Sequence, residues 1–180
     1  MTRTVLINGV PGSGKSTVAQ LLAHGTPMAL ALDIDVIKHA LGQWESDPTG
    51  AGRQARRLAL AAAEAHLATG HDVIMGQYLA RTEFVEQLEQ LSRRLGSRFF
   101  EFVLVVDQPT LRARLEHRAM HPHRPEHEVN ARLVSVSDVP DLVSSTERLL
   151  AQRPSAWPVD ASGAPAETVH LLRERLAVPA

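Results

Sequence analysis

The 180-residue chain has no cysteine. That excludes a disulfide framework and any zinc site built on thiolates. A surplus of one charge is also missing: 19 basic residues face 20 acidic ones, for a formal net charge of -1. A general nucleic-acid binder would carry a basic excess, so none is expected as a partner. No apolar run approaches the roughly eighteen residues of a membrane span. The strand-like segment TRTVLING begins at residue 2, which leaves no room for a signal peptide, and the expected address is cytoplasmic. There is no internal repeat and no low-complexity segment. Lysine is nearly absent, with only Lys15 and Lys38 against many arginines. What is present is ordinary: 44% apolar and 22% charged residues, enough for one domain, 1–180, with a sizeable core.

Five β-rich runs alternate with helical patterns. The strands are expected at 4–9, 28–35, 71–76, 99–107 and 156–163, with Pro158 inside the last. Helical spacing follows the first strand in STVAQLLAHG, then recurs at 53–70, 81–96, in TLRARLEHRAM, in PEHEVNARLVSVS and in PAETVHLLRERLA. The stretch WESDPTGAG at 44–52 reads as a loop. This alternation predicts a three-layer α/β fold with a mostly parallel sheet. Ligands of such folds collect beyond the carboxyl ends of the strands. Asp33, Asp35, Gln77, Asp107 and Asp160 all fall there.

Between the first strand and first helix lies GVPGSGKST, which matches G-x-x-x-x-G-K-[ST] from Gly9 to Ser16. Glycines let backbone N–H groups wrap a phosphate chain, and the helix N-terminus adds partial positive charge. Gly9, Pro11, Gly12, Ser13, Gly14, Lys15, Ser16 and Thr17 are the candidate nucleotide contacts. Lys15 would bridge the β- and γ-phosphates, Ser16 would ligate Mg²⁺, and Thr17 would add a donor near the α/β-phosphates.

Motor ATPases and GTPases usually end a further strand in a metal-holding Asp, but here VIMGQY carries Gly76 at that place. The N-K-x-D guanine motif is also missing. The pair Asp33 and Asp35 in ALALDIDV points to transfer onto a second small molecule. In a strand, side chains two apart share a face, so both acids would look into the cleft beside the phosphate loop. The other reading is that one of them caps the helix beginning VIKHAL.

With NGVPGSGKST and DID, the segments RLEHR (114–118), HRPEHE and VDASGAPAETV (159–169) occur in an order that resembles the small P-loop phosphotransferases: shikimate and gluconate kinases and chloramphenicol phosphotransferase. The resemblance covers nearly the whole chain. It implies a five-stranded parallel sheet of order 2-3-1-4-5 in an α/β/α sandwich, with a helical lid at about 114–137. It also implies that Asp33 serves the metal and Asp35 the substrate hydroxyl, with Arg118 and Arg124 brought over the transferring phosphate by the lid. Arg114 would reach the nucleotide, and VDASGAPAETV would form the adenine side.

Arg53, Arg56 and Arg57 would hold an anionic acceptor or merely solvate a helix face. Gln77 and Tyr78 are candidate acceptor contacts. Trp44 would cover an acceptor or pack under its loop. His117, His121, His123 and His127 crowd the lid as a zinc cluster or an exposed polar turn. The expectation is an ATP- and Mg²⁺-dependent kinase acting on a hydroxyl of a small molecule, an antibiotic or a sugar-like metabolite. The rivals are a nucleoside or nucleotide kinase and a nucleotide-binding regulatory or toxin-like protein.

Overall fold

The computed structural model describes residues 1–120 and 134–178. Five strands, β1 (Arg3–Asn8), β2 (Leu30–Leu32), β3 (Val73–Gln77), β4 (Arg98–Val105) and β5 (Trp157–Asp160), form one all-parallel sheet of order β2-β3-β1-β4-β5. This is the topology expected of a P-loop kinase fold. Parallel strands need crossovers that cover both faces, and the side-chain alternation of β1 shows it. Val5 and Ile7 join one buried cluster with Val18, Leu22, Phe102 and Leu172. Leu6 joins the opposite cluster with Ala59, Met75, Val85 and Leu88.

Seven α-helices are described: α1 (Lys15–His24), α2 (Ile34–His39), α3 (Pro48–Ala68), α4 (Glu83–Arg94), α5 (Gln108–Met120), α6 (Val139–Gln152) and α7 (Pro165–Ala177). Among the described residues none is long and apolar enough to cross a membrane.

The elements depart most from those read in the sequence at three places. β2 stops at Leu32 rather than residue 35, because Asp33 turns the chain into α2 by accepting from the amides of Asp35 and Val36. α3 begins at Pro48, five residues before the expected 53. Asp47 caps it through Oδ1 to the Gly50 N–H at 2.8 Å, and Pro48 supplies the fixed φ favoured in a first helical turn. The presumed loop at 44–52 is therefore a 3₁₀ turn (Trp44–Ser46) followed by helix. The third difference is α6, which the sequence reading passed over; Leu142, Thr146 and Leu149 bury one face of it at the i, i+4, i+7 spacing of a helix. Pro158 does lie inside β5, and β5 is an edge strand, where proline is tolerated. Of PEHEVNARLVSVS only 134–137 are described, and they lead into a 3₁₀ turn at Val136–Asp138.

Candidate active site

β1 ends at Asn8, whose side chain is fully buried. Its Nδ2 donates to the Leu79 carbonyl at 3.1 Å, and its Oδ1 accepts from the amides of Leu79 at 3.0 Å and Gly9 at 2.9 Å. The first residue of the loop is thereby fastened to the chain leaving β3. Sequence reasoning missed Asn8; the available signal was an amide at the last position of an otherwise apolar strand.

The loop from Gly9 to Gly14 turns directly into α1. Gly14 has φ 89° at the N-cap position, a left-handed conformation that a side chain resists. It offers no capping side chain, and no acid occupies the first turn, so the leading N–H groups of α1 keep their capacity for an anion. Ser13 Oγ is buried without a hydrogen-bond partner. The Ser16 hydroxyl makes no hydrogen bond with a described residue. Pro11 is half-buried in the loop, and Thr17 is exposed on α1.

Gly12, Ser13 and Gly14 line one side of a cavity of about 230 Å³. Its other walls come from α5, through Arg114, His117 and Arg118, and from the chain after β5 at Ala161, Gly163, Pro165 and Thr168. Arg114 spans the two sides: its guanidinium donates to the carbonyls of Gly163 at 2.8 Å, Ser162 at 3.1 Å and Ser13 at 3.5 Å.

Lys15 has only partial solvent access, and its pKa is lowered to about 8, first by burial and then by the charge of Arg118, with Asp35 and Asp33 acting in the opposite sense. The four groups therefore share one electrostatic neighbourhood. Burial also pulls the Arg118 pKa below its usual value.

The structure brings both acids toward Lys15, but not on one strand face. Asp33 is the N-cap of α2, with Oδ1 accepting from the Asp35 amide at 2.9 Å and the Val36 amide at 3.4 Å. Asp35 lies in the first helical turn. The expectation that β2 holds the pair at i and i+2 is thus corrected, and the capping alternative holds for Asp33. Burial raises the Asp33 pKa, and the charge of Asp35 adds to this against the two amides and Lys15.

Gln77, buried at the end of β3, donates through Nε2 to Asp35 Oδ2 at 3.2 Å. Tyr78 spends its hydroxyl on Ser145 Oγ at 2.8 Å. Gly76 has a steric cause: a Cβ there would come within 2.8 Å of the Lys15 carbonyl oxygen and 2.9 Å of Ala19 Cβ. An acid cannot stand where α1 crosses β3 so closely.

Beyond Asp35 a cavity of about 440 Å³ is lined by Asp35, Lys38, Gln77, Arg53, Arg56 and Arg81, among others. A second, of about 630 Å³, shares Arg53, Arg56, Leu79 and Arg81 with it and adds Arg57, Tyr78 and Phe84. Arg81 and Lys38 were missed as site residues. Trp44 packs on α2, with Lys38 Nζ 4.6 Å from its ring centre and the His39 ring at 4.6 Å. Arg124, His121, His123 and His127 lie outside the described residues. Among the described residues no group of three or more His, Cys, Asp or Glu could hold a metal ion.

The sequence pattern of an AAA domain matches residues 5–138, from β1 to the 3₁₀ turn before α6. The chain belongs to the AAA domain family. Solved structures similar to this AAA domain include a tunicamycin resistance protein of Deinococcus radiodurans, at 17% identity and TM-score 0.68 over 99% of this chain and 98% of that one. A gluconokinase of Sinorhizobium meliloti is 20% identical, with TM-score 0.59 over 97% and 95% of the two chains. The APS kinase of Mycobacterium tuberculosis, solved with AMPPNP and APS, is 18% identical, with TM-score 0.62 over 98% of each. These likenesses establish the fold. No protein of curated function matches the sequence.

Proposed function

We propose that the chain is an ATP- and Mg²⁺-dependent phosphotransferase that moves the γ-phosphate to a hydroxyl of a small molecule. The observation that carries this reading is a phosphate-loop cavity lined by Gly12, Ser13, Gly14 and Arg118 together with a second cavity lined by Asp35 and Gln77, with the charges of Arg118 and Asp35 both acting on Lys15. The tunicamycin resistance, gluconokinase and APS kinase structures share the fold and support the reading.

In this reading the triphosphate lies on the loop from Gly9 to Thr17, with the base toward Arg114, Ala161 and Gly163. Lys15 neutralises the β/γ-phosphate oxygens. Ser16 and the Asp33 oxygen not engaged in capping are hard oxygen donors, the set Mg²⁺ takes alongside phosphate and water. Ser16 and Asp33 would hold the ion, whose positive charge would offset part of the charge on the phosphates. Asp35, held by Gln77, accepts the proton of the acceptor hydroxyl as its oxygen bonds to the γ-phosphorus and the bond to the β–γ bridging oxygen breaks, releasing ADP. Arg118 offsets charge on the transferring phosphoryl group, and the same role is proposed for Arg124. Gln77 orients Asp35, while Tyr78 and Arg57 wall the acceptor space.

The test is ADP release across sugars, aminocyclitols, nucleosides and antibiotics, with Lys15→Ala as control. Acceptor-dependent release that vanishes in the variant is expected. Nucleotide affinity with no acceptor-dependent release would favour a regulator instead.

A further inference from the structure

Resting on the phosphotransferase reading, we infer that the acceptor carries an oxyanion group, phosphate or carboxylate, seated on Arg53, Arg56 and Arg81 some way out from the hydroxyl that meets Asp35. These three side chains line both acceptor-side cavities, so they stand between the two. Lys38 and Arg57 add positive charge on either side, against only Asp35 and Glu83 among the lining carboxylates.

A basic surface usually disperses its charge by pairing, and this protein does so elsewhere: Arg3 with Asp72, and Arg153 with Glu89 and Glu101. The cavity arginines do not. Arg53, Arg57 and Arg81 form no hydrogen bond or ion pair with a described residue, and Arg56 donates only to the Gly52 carbonyl at 3.2 Å. All four are exposed, so their donors are open to a ligand, and guanidinium groups match the geometry of carboxylate and phosphate oxygens.

A second observation points to a ligand at the inner cavity. Gln77 is 7% exposed and its Oε1 has no partner. An ionised carboxylate only accepts, so the amide nitrogen must face Asp35 and the oxygen is left as an unused acceptor. A buried acceptor of this kind is costly unless something donates to it. A polyhydroxylated acceptor would donate from the hydroxyl beside the one facing Asp35. Inner groups that accept protons and outer groups that hold an anion therefore define a hydroxylated anion, and they disfavour the cationic aminocyclitols.

Two measurements test this. ADP release is compared for a hexose, its 6-phosphate, the corresponding hexonate and the aminohexose. Calorimetry then follows inorganic phosphate binding to ADP-loaded protein and to its Arg53→Gln/Arg81→Gln variant. The 6-phosphate or the hexonate should exceed the neutral and amino sugars in kcat/KM by about tenfold or more, and whichever leads names the oxyanion. Phosphate should bind the variant about tenfold or more weakly, the scale for losing a charge-assisted contact. Preference for the neutral or amino sugar overturns the inference. So does unchanged phosphate affinity in the variant, whatever the sugars show. If neither these sugars nor any acceptor of the wider screen supports ADP release while phosphate binding still falls in the variant, the oxyanion site stands and the phosphotransferase reading fails.

Discussion

Gln77 Nε2 reaches Asp35 Oδ2 at 3.2 Å, joining the last residue of β3 to the first turn of α2. The bond engages one oxygen of the carboxylate, and both residues line the same cavity. Asp33 is held differently, by two backbone amides. Two acids separated by one residue thus have separate anchors, which is what separate tasks require.

Asp35→Asn should therefore lower kcat by about two to four decades, the usual scale for losing a general base, while ATP affinity survives. Steady-state kinetics and direct nucleotide titration check both halves. A collapse of ATP affinity would reverse the division of labour between Asp33 and Asp35.

Lys15 with a pKa of about 8 predicts a pH signature for nucleotide binding. The free protein loses this proton as pH rises through 8, whereas bound phosphate favours the charged form. Binding above pH 8 should then take up close to one proton, and affinity should fall by up to about tenfold per pH unit. Calorimetry in buffers of different ionisation enthalpy reads the uptake directly. Lys15→Met should bind weakly with no uptake.

Gly76→Ala introduces a Cβ within 2.8 Å of the Lys15 carbonyl and 2.9 Å of Ala19 Cβ. Backbone cannot yield cheaply, so the expected cost is about 1–3 kcal/mol, as for an overpacked core. In a domain of this size that lowers Tm by roughly 2–4 °C per kcal/mol. Nucleotide affinity should fall as well, because Lys15 opens α1. Thermal melts with and without ATP would separate the two effects; an unchanged Tm would refute the close approach.

The phosphate loop was legible because its chemistry is written in contiguous residues, and the sheet order followed from the resemblance that loop anchors. The details around it were not legible, for reasons visible at single residues. Asp33 looks identical in sequence whether it ends a strand or caps a helix, and only the path of the chain after Leu32 decides. Gly76 reads as a missing acid until α1 is packed on β3. Arg81, far from Arg53 in sequence, joins it only because the β3–α4 connection meets the start of α3 across the cavity. Asn8 gains its meaning from Leu79, a partner 71 residues away.

Arg118 supplies the sharpest test of the site, because its charge is one of the causes that lower the Lys15 pKa. Arg118→Ala should reduce kcat by about 10²–10³-fold, the scale for losing one donor to a developing anion, with a much smaller change in KM for ATP. It should also leave a second trace. Without the guanidinium, the Lys15 pKa rises from about 8 toward its ordinary value, so the alkaline fall in nucleotide affinity moves to higher pH. The sign is fixed: removing a like charge favours the protonated amine. A kcat loss with an unmoved alkaline limb would mean that Arg118 acts without standing beside Lys15. A shifted limb with unchanged kcat would make it a neighbour of the lysine but not of the transferring phosphate.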